Sequence, residues 1–181
     1  MDRLPLALSA SVFALAMATP AHAQNFYVGL GVEKGNTSVD THPGSLDGDI
    51  TDVSVFGGVR FNAGNWVYGA EGETTLSTDD SLQFGLGGDI DRVSRLRALG
   101  GYQFGQWTLF ATAGGTWVDG SPFVSGFSDG ASGWNAGVGG EYSLNEHFSL
   151  RGEYIHDATD FNDGNYEWTN DALRASAIVK F

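Results

Sequence analysis

The sequence contains no cysteine, only four prolines and, beyond its first residues, no long apolar run. The absence of cysteine excludes disulfides, thiolate metal sites and cysteine nucleophiles. A membrane-spanning helix needs about 18 or more uninterrupted apolar residues, so none is predicted after the N-terminal segment. Basic residues are also scarce, and the net charge of −13 argues against binding to nucleic acid.

The N-terminal segment has the pattern of a secretory signal peptide. Met1-Asp2-Arg3 precedes an apolar run from Leu4 to Met17, and Ala21-His22-Ala23 forms a small-x-small cleavage site. The alternative is an anchoring helix, which needs about 20 apolar residues and would meet Pro20 too early. We therefore predict a cleaved signal peptide at residues 1–23 and a single domain at residues 24–181, outside the cytoplasm.

The mature sequence is built from segments in which apolar and polar residues alternate. In the last segment, one face consists of Leu173, Ala175, Ala177, Val179 and Phe181. The other face carries Arg174, Ser176 and Lys180, with Ile178 as the exception. Successive side chains of a strand point to opposite sides, so this pattern predicts a strand with one apolar and one charged face. We count eight such segments, each about ten residues long, which is the length of a tilted transmembrane strand.

The connections between these segments alternate in length. Short turns are predicted at residues 62–65, 105–106 and 145–147. Long connections rich in Gly, Ser, Asn and Asp are predicted near residues 34–51, 77–91, 118–131 and 157–170, and they carry most of the acidic residues. Short turns at one end and long loops at the other are typical of outer-membrane barrels. The sequence therefore predicts an all-β fold, an eight-stranded antiparallel up-and-down transmembrane β-barrel.

Aromatic residues on the apolar faces cluster near the ends of the predicted strands. Such rings prefer the headgroup level of a membrane, so two aromatic girdles around an aliphatic belt are expected. An aromatic-rich soluble core is the alternative. The predicted girdle residues are Phe26, Phe61, Trp66, Tyr102, Phe104, Trp107, Trp117, Trp134, Tyr142, Phe148 and Phe181.

The polar faces carry charges of both signs toward the barrel interior. An eight-stranded barrel is just wide enough to be filled by side chains, and isolated buried charges are costly, so these groups should pair. If Glu73 lies opposite Arg95 in the hairpin of the third and fourth segments, then Glu71 lies opposite Arg97, and across the turn at residues 145–147 Glu141 can oppose Arg151 in the same manner. The predicted ion-pair network comprises Arg60, Glu71, Glu73, Arg95, Arg97, Glu141, Arg151, Glu153 and Arg174, with Glu33 and Lys180 also facing inward. Inward Tyr27, Phe56 and Phe110 should narrow the interior further. The alternative is a conducting, charge-lined pore.

The sequence resembles the small outer-membrane β-barrel family. The features that carry the resemblance are the export signal, the alternating strands, the Glu153-Tyr154 pair, and Leu173-Arg174-Ala175 leading to Phe181. That family includes the OmpA membrane domain and porin-like surface antigens of Gram-negative bacteria. The resemblance covers residues 24–181. It implies an outer-membrane location, contact with outer-membrane lipid and lipopolysaccharide, and recognition of Phe181 by the barrel assembly machinery. Unlike OmpA, no peptidoglycan-binding domain is expected after Phe181.

Catalytic chemistry finds little support in the sequence. Some eight-stranded outer-membrane barrels are enzymes that modify lipid A. Among them, the deacylase family uses a His-x-Ser pair on one face of a strand. His156-Asp157-Ala158 lacks that serine, and Thr159 has the wrong alternation to replace it. We predict a monomer with a structural or surface-exposed role, without enzymatic activity, metal or cofactor. The alternatives are a narrow porin-like channel and a lipid A-modifying enzyme.

Overall fold

A computed structural model describes residues 25–41, 44–80, 89–121, 131–161 and 166–181. These residues form eight antiparallel strands, each paired with its neighbours in the chain, and β1 pairs with β8 to close the barrel. The strands are β1 (Asn25–Thr41), β2 (Gly44–Ala63), β3 (Trp66–Asp80), β4 (Asp89–Phe104), β5 (Trp107–Ser121), β6 (Ala131–Ser143), β7 (Phe148–Phe161) and β8 (Tyr166–Lys180). The predicted fold class is confirmed.

Side-chain parity sorts the strands into an inner and an outer face, as the alternation predicts. In β8, Leu173, Ala175, Ala177 and Val179 are exposed on the outer wall, whereas the intervening residues from Ala172 to Ile178 are buried. Leu173 keeps 68 % of its surface exposed. An outer wall of exposed apolar side chains is stable only against hydrocarbon, so the barrel is built for a membrane.

The strands are longer than the ten residues predicted, with 13 to 20 residues each. The excess lies at the end opposite the short turns, where β1 and β2 remain paired as far as Thr41 and Gly44. The loop predicted at residues 34–51 was therefore wrong in its bounds, and so were those at 77–91, 118–131 and 157–170, because strands extend into all four ranges. Alternation marks only the stretch that contacts lipid, whereas the backbone ladder continues beyond it through residues in which apolar and polar side chains no longer alternate.

The tight turns define one end of the barrel. Gly64 and Gly105 adopt φ values of 64° and 62°, which only glycine reaches without strain, and each lies in a two-residue connection. The third turn spans residues 144–147. We call this the short-turn end, and the opposite end the long-hairpin end. In outer-membrane barrels, short turns face the periplasm and longer connections face outward.

Aromatic side chains pack together on the outer wall at the short-turn end. The ring centroids of Trp66 and Tyr102 are 5.2 Å apart, and those of Trp107 and Tyr142 are 4.9 Å apart. Within the described ranges, the structure has no helix long and apolar enough to span a membrane. The predicted signal peptide at residues 1–23 lies outside the described residues.

Candidate functional site in the barrel interior

A continuous network of charged side chains runs along the barrel interior. At its centre, Arg97 is 1 % exposed and contacts three carboxylates. Its guanidinium donates to Glu153 at 2.9 Å, to Glu73 at 3.0 Å, and to Glu71. Arg174 on β8 donates to Glu73 and Glu153 as well. Each of these acids is therefore shared between two or more arginines, which compensates the loss of water around buried charges.

Arg95 extends the network toward the long-hairpin end. Its guanidinium forms bidentate hydrogen bonds with the Glu33 carboxylate, at 2.9 and 3.0 Å, and with the Asp157 carboxylate, at 2.7 and 2.9 Å. A further nitrogen–oxygen distance of 2.6 Å links it to Glu73. Thr116 donates to the Asp157 carboxylate at 2.8 Å, and Asn135 donates in turn to Thr116. One arginine thus connects four strands, namely β1, β3, β4 and β7.

Toward the short-turn end, Arg151 and Arg60 continue the chain of pairs. Arg151 donates to Glu71 at 2.6 Å, and Arg60 binds Glu141 through both terminal nitrogens at 2.6 and 2.9 Å. Arg151 lies opposite Glu141 in the β6–β7 ladder, as predicted, but the contact between them is 3.4 Å. The shorter pairing of Glu141 runs across the interior to β2, which hairpin register does not reveal.

Aromatic side chains surround the part of the network near the short-turn end. Tyr27, Phe56 and Phe110 are all buried, and Arg151 lies 4.9 Å from the Phe56 ring centre and 5.0 Å from that of Phe110. Arg60 lies 4.3 Å from the Tyr27 ring centre, and the Tyr27 hydroxyl donates to Glu71 at 2.7 Å. Aromatic faces attract guanidinium groups, so these rings occupy space and stabilise the arginines together.

The structure brings together all nine residues of the predicted network. Every one is buried, and each belongs to at least one ion pair: Arg60, Glu71, Glu73, Arg95, Arg97, Glu141, Arg151, Glu153 and Arg174. Lys180 is only half-buried, and its Nζ lies 3.0 Å from the Ser143 hydroxyl.

Two buried acids are missing from the predicted interior. The acids listed for the predicted interior are all Glu, whereas in the structure Asp52 and Asp157 also face inward. Five buried arginines therefore face seven buried carboxylates in the described part of the chain. Asp157 was assigned to a loop, although β7 continues beyond it to Phe161. Its even spacing from Arg151 and Glu153 is a signal that could have identified it.

Replacing Asp157 with asparagine should destabilise the barrel by about 1.5–3 kcal/mol, the range for a hydrogen bond to a charged group. The amide keeps the shape of the side chain but leaves Arg95 with weaker contacts on one side. Urea unfolding in lipid vesicles, followed by tryptophan fluorescence, measures the change. Glu146→Gln, at an exposed turn position, is the control and should have little effect. Equal effects of the two variants would contradict the role assigned to Asp157.

The predicted girdle residues lie on the outer wall or its rim. Phe26, Phe61 and Tyr142 are partly exposed; Trp66, Tyr102, Phe104, Trp107, Trp117, Trp134, Phe148 and Phe181 are exposed. The Phe181 backbone N–H donates to the Phe26 carbonyl at 2.8 Å, so the terminal residue takes part in closing the barrel. Its recognition by the assembly machinery stays a prediction.

Comparison with known proteins shows the family to which this barrel belongs. A family model described as "Outer membrane protein beta-barrel domain" matches residues 6–181. The chain belongs to this family. The 25 kDa outer-membrane immunogenic protein of Brucella canis is 30 % identical over 150 residues, which cover 82 % of this chain and 68 % of the relative. The corresponding protein of Brucella suis is 30 % identical over 153 residues, with the same shares of each chain. The protein is accordingly an outer-membrane β-barrel protein.

Solved structures of other outer-membrane barrels share the fold of this family member. Neisserial surface protein A superposes with a TM-score of 0.55 at 17 % identity, covering 86 % of this chain and 97 % of its own. Ail, the attachment invasion locus protein of Yersinia pestis, gives 0.55 at 13 % identity, covering 86 % and 98 %. OprG from Pseudomonas aeruginosa gives 0.54 at 15 %, covering 88 % and 96 %. At these identities the likeness concerns the fold alone.

Proposed function

We propose that this protein is a surface-exposed structural barrel whose interior is closed to ions. The observation that carries the proposal is the unbroken series of ion pairs from Asp157, through Arg95, Glu73, Arg97 and Glu71, to Arg151. An eight-stranded barrel leaves little room beyond its own side chains. Here that room is crossed by paired charges that have almost no exposed surface.

A surface-exposed role is supported by the relatives, which carry the description "outer-membrane immunogenic protein". The long-hairpin end fits this role, because strands that extend beyond the lipid-facing stretch raise their connections above the membrane. We propose that this end faces the cell exterior and that the short turns face the periplasm. The acidic side chains within residues 39–48, 77–91, 119–131 and 160–168 lie outside the described part of the structure.

Refolded protein in planar lipid bilayers tests the closed interior. We expect no stable conductance steps, because an ion would have to separate several buried Arg–Glu pairs in succession. The double variant Arg97→Ala and Glu71→Ala is designed to open the barrel interior, since it truncates two side chains at the centre of the network. It should show conductance steps more often than the wild type. Frequent, stable steps from the wild type would replace this proposal with a narrow channel.

We also propose that the barrel does not hydrolyse lipid. His156 lies on the outer wall, where Ala158 takes the position at which the deacylases have a serine, and Thr159 is buried in the interior. A hydrolase needs a nucleophile within hydrogen-bond reach of its base. Mass spectrometry of lipid A incubated with the refolded protein should show no loss of acyl chains, and loss of a chain would overturn the proposal.

A further inference from the structure

A polar cluster lies on the outer wall of the barrel, where apolar residues dominate. His156 on β7 and Asp171 on β8 are direct partners in the strand ladder, and His156 Nδ1 lies 2.7 Å from Asp171 Oδ1. The Tyr154 hydroxyl donates to the same carboxylate oxygen at 2.5 Å. The ring centroids of His156 and Trp134 are 5.3 Å apart. Trp134, Tyr154 and Asp171 are exposed and His156 is partly exposed, and all four have the outward parity of their strands.

The contacts within the cluster fix the orientation of its side chains and leave other polar groups available to a ligand. A carboxylate only accepts hydrogen bonds, so His156 donates through Nδ1, which holds the ring in place. The groups left for a partner are His156 Nε2, Asp171 Oδ2 and the face of Trp134. A carboxylate and an imidazole on a lipid-facing wall are costly within hydrocarbon, so the cluster must lie at the headgroup level. Trp134 and Tyr154, as interfacial aromatics, favour the same level.

A basic residue completes the cluster on the neighbouring strand. Asn36 of β1 lies opposite Asp171, and Lys34 lies opposite Leu173, so Lys34 is diagonal to Asp171. Diagonal neighbours have Cα atoms about 7–8 Å apart, within the reach of a lysine side chain. Lys34 is exposed and has outward parity. The other outward-facing basic residue in the described part of the chain, Arg92, is on β4, three strands farther around the barrel.

The chemistry of these groups matches a phosphorylated amino sugar. The face of a tryptophan packs on the C–H face of a sugar ring, a carboxylate and an imidazole bind hydroxyl and amide N–H groups, and a lysine binds phosphate. A glycerophospholipid offers the phosphate but no ring for Trp134 and Asp171. We propose that Trp134, Tyr154, His156, Asp171 and Lys34 form a lipid-facing site for the phosphorylated amino-sugar headgroup of an outer-leaflet glycolipid. This inference rests on the proposed orientation, with the long-hairpin end outward.

The test compares the heat stability of the refolded barrel in three bilayers. One contains phosphatidylcholine alone, one adds phosphatidylglycerol, and one adds purified lipid A at the same negative charge. In each bilayer, the protein is heated and run on a gel, and the measured quantity is the midpoint, the temperature at which half of the band of the folded barrel is lost. For the wild type, we expect lipid A to raise the midpoint by about 5–10 °C above phosphatidylglycerol, as for a ligand near 100 times its Kd.

Variants then locate the effect. Asp171→Asn and Lys34→Gln should lose most of the lipid A increment, whereas Arg92→Gln should keep it, because that residue lies on a distant part of the same rim. Equal midpoints in lipid A and phosphatidylglycerol would overturn the proposal, as would an equal loss in Arg92→Gln and Lys34→Gln. Native mass spectrometry of the wild type, counting bound lipid A against phosphatidylglycerol, gives a second reading that needs no variant. Conductance plays no part in these measurements, so this proposal and that of a closed interior can fail separately.

Discussion

Replacing Arg97 with methionine is expected to lower the free energy of unfolding by about 3 kcal/mol, the lower end of the range for breaking a buried ion pair. Methionine fills similar space but leaves Glu71, Glu73 and Glu153 with one arginine fewer. The lower end applies because every one of these acids keeps another partner: Glu71 keeps Arg151, and Arg174 still binds Glu73 and Glu153. Urea unfolding in lipid vesicles measures the loss.

Two further variants make this result specific. Arg92→Gln removes an exposed arginine from the outer wall of the same strand and should change stability by no more than about 0.5 kcal/mol. Adding Glu153→Gln to Arg97→Met should recover part of the loss, since one unbalanced carboxylate becomes neutral. If Arg97→Met were as stable as Arg92→Gln, the network would contribute little to the folded state.

Replacing Gly114 with alanine should cost about 1–3 kcal/mol, the range for overpacking a tight interior. A Cβ atom at this position would lie 2.0 Å from the Leu96 carbonyl oxygen and 2.7 Å from the Arg97 Cα. Both contacts are with the backbone of β4, so the strand itself must move. Gly114 pairs directly with Arg97 in the β4–β5 ladder, and the movement would therefore displace the arginine at the centre of the network. Thermal loss of the folded gel band measures the effect.

The matched control is Gly100→Ala, on the outer wall of β4. A Cβ atom there meets nothing within 4 Å. Alanine also has less conformational freedom to lose on folding, so this variant should be neutral or more stable by up to about 1 kcal/mol. A destabilisation in Gly100→Ala as large as that in Gly114→Ala would point to a general loss of glycine flexibility in place of a steric conflict.

Most of the local arrangement could be predicted, because in a strand it depends on parity alone. Whether Glu71, Arg97 or Leu173 faces inward follows from counting in steps of two. Once Glu73 is placed opposite Arg95, the pair Glu71–Arg97 follows as well. Parity does not show where a strand ends once the lipid-facing stretch is passed. For that reason Asp157 was missed, although it lies on the same face of β7 as Arg151 and Glu153.

By itself, the sequence determined the number of strands and, within the lipid-facing stretches, the direction in which the side chains point, since these depend on short-range alternation. Only the tertiary structure decided which charges meet across the interior. The pairs Arg60–Glu141, Arg95–Asp157 and Arg174–Glu73 each join strands that are not neighbours. Their contact depends on strand tilt and on the stagger at which β1 meets β8, and both are properties of the closed barrel.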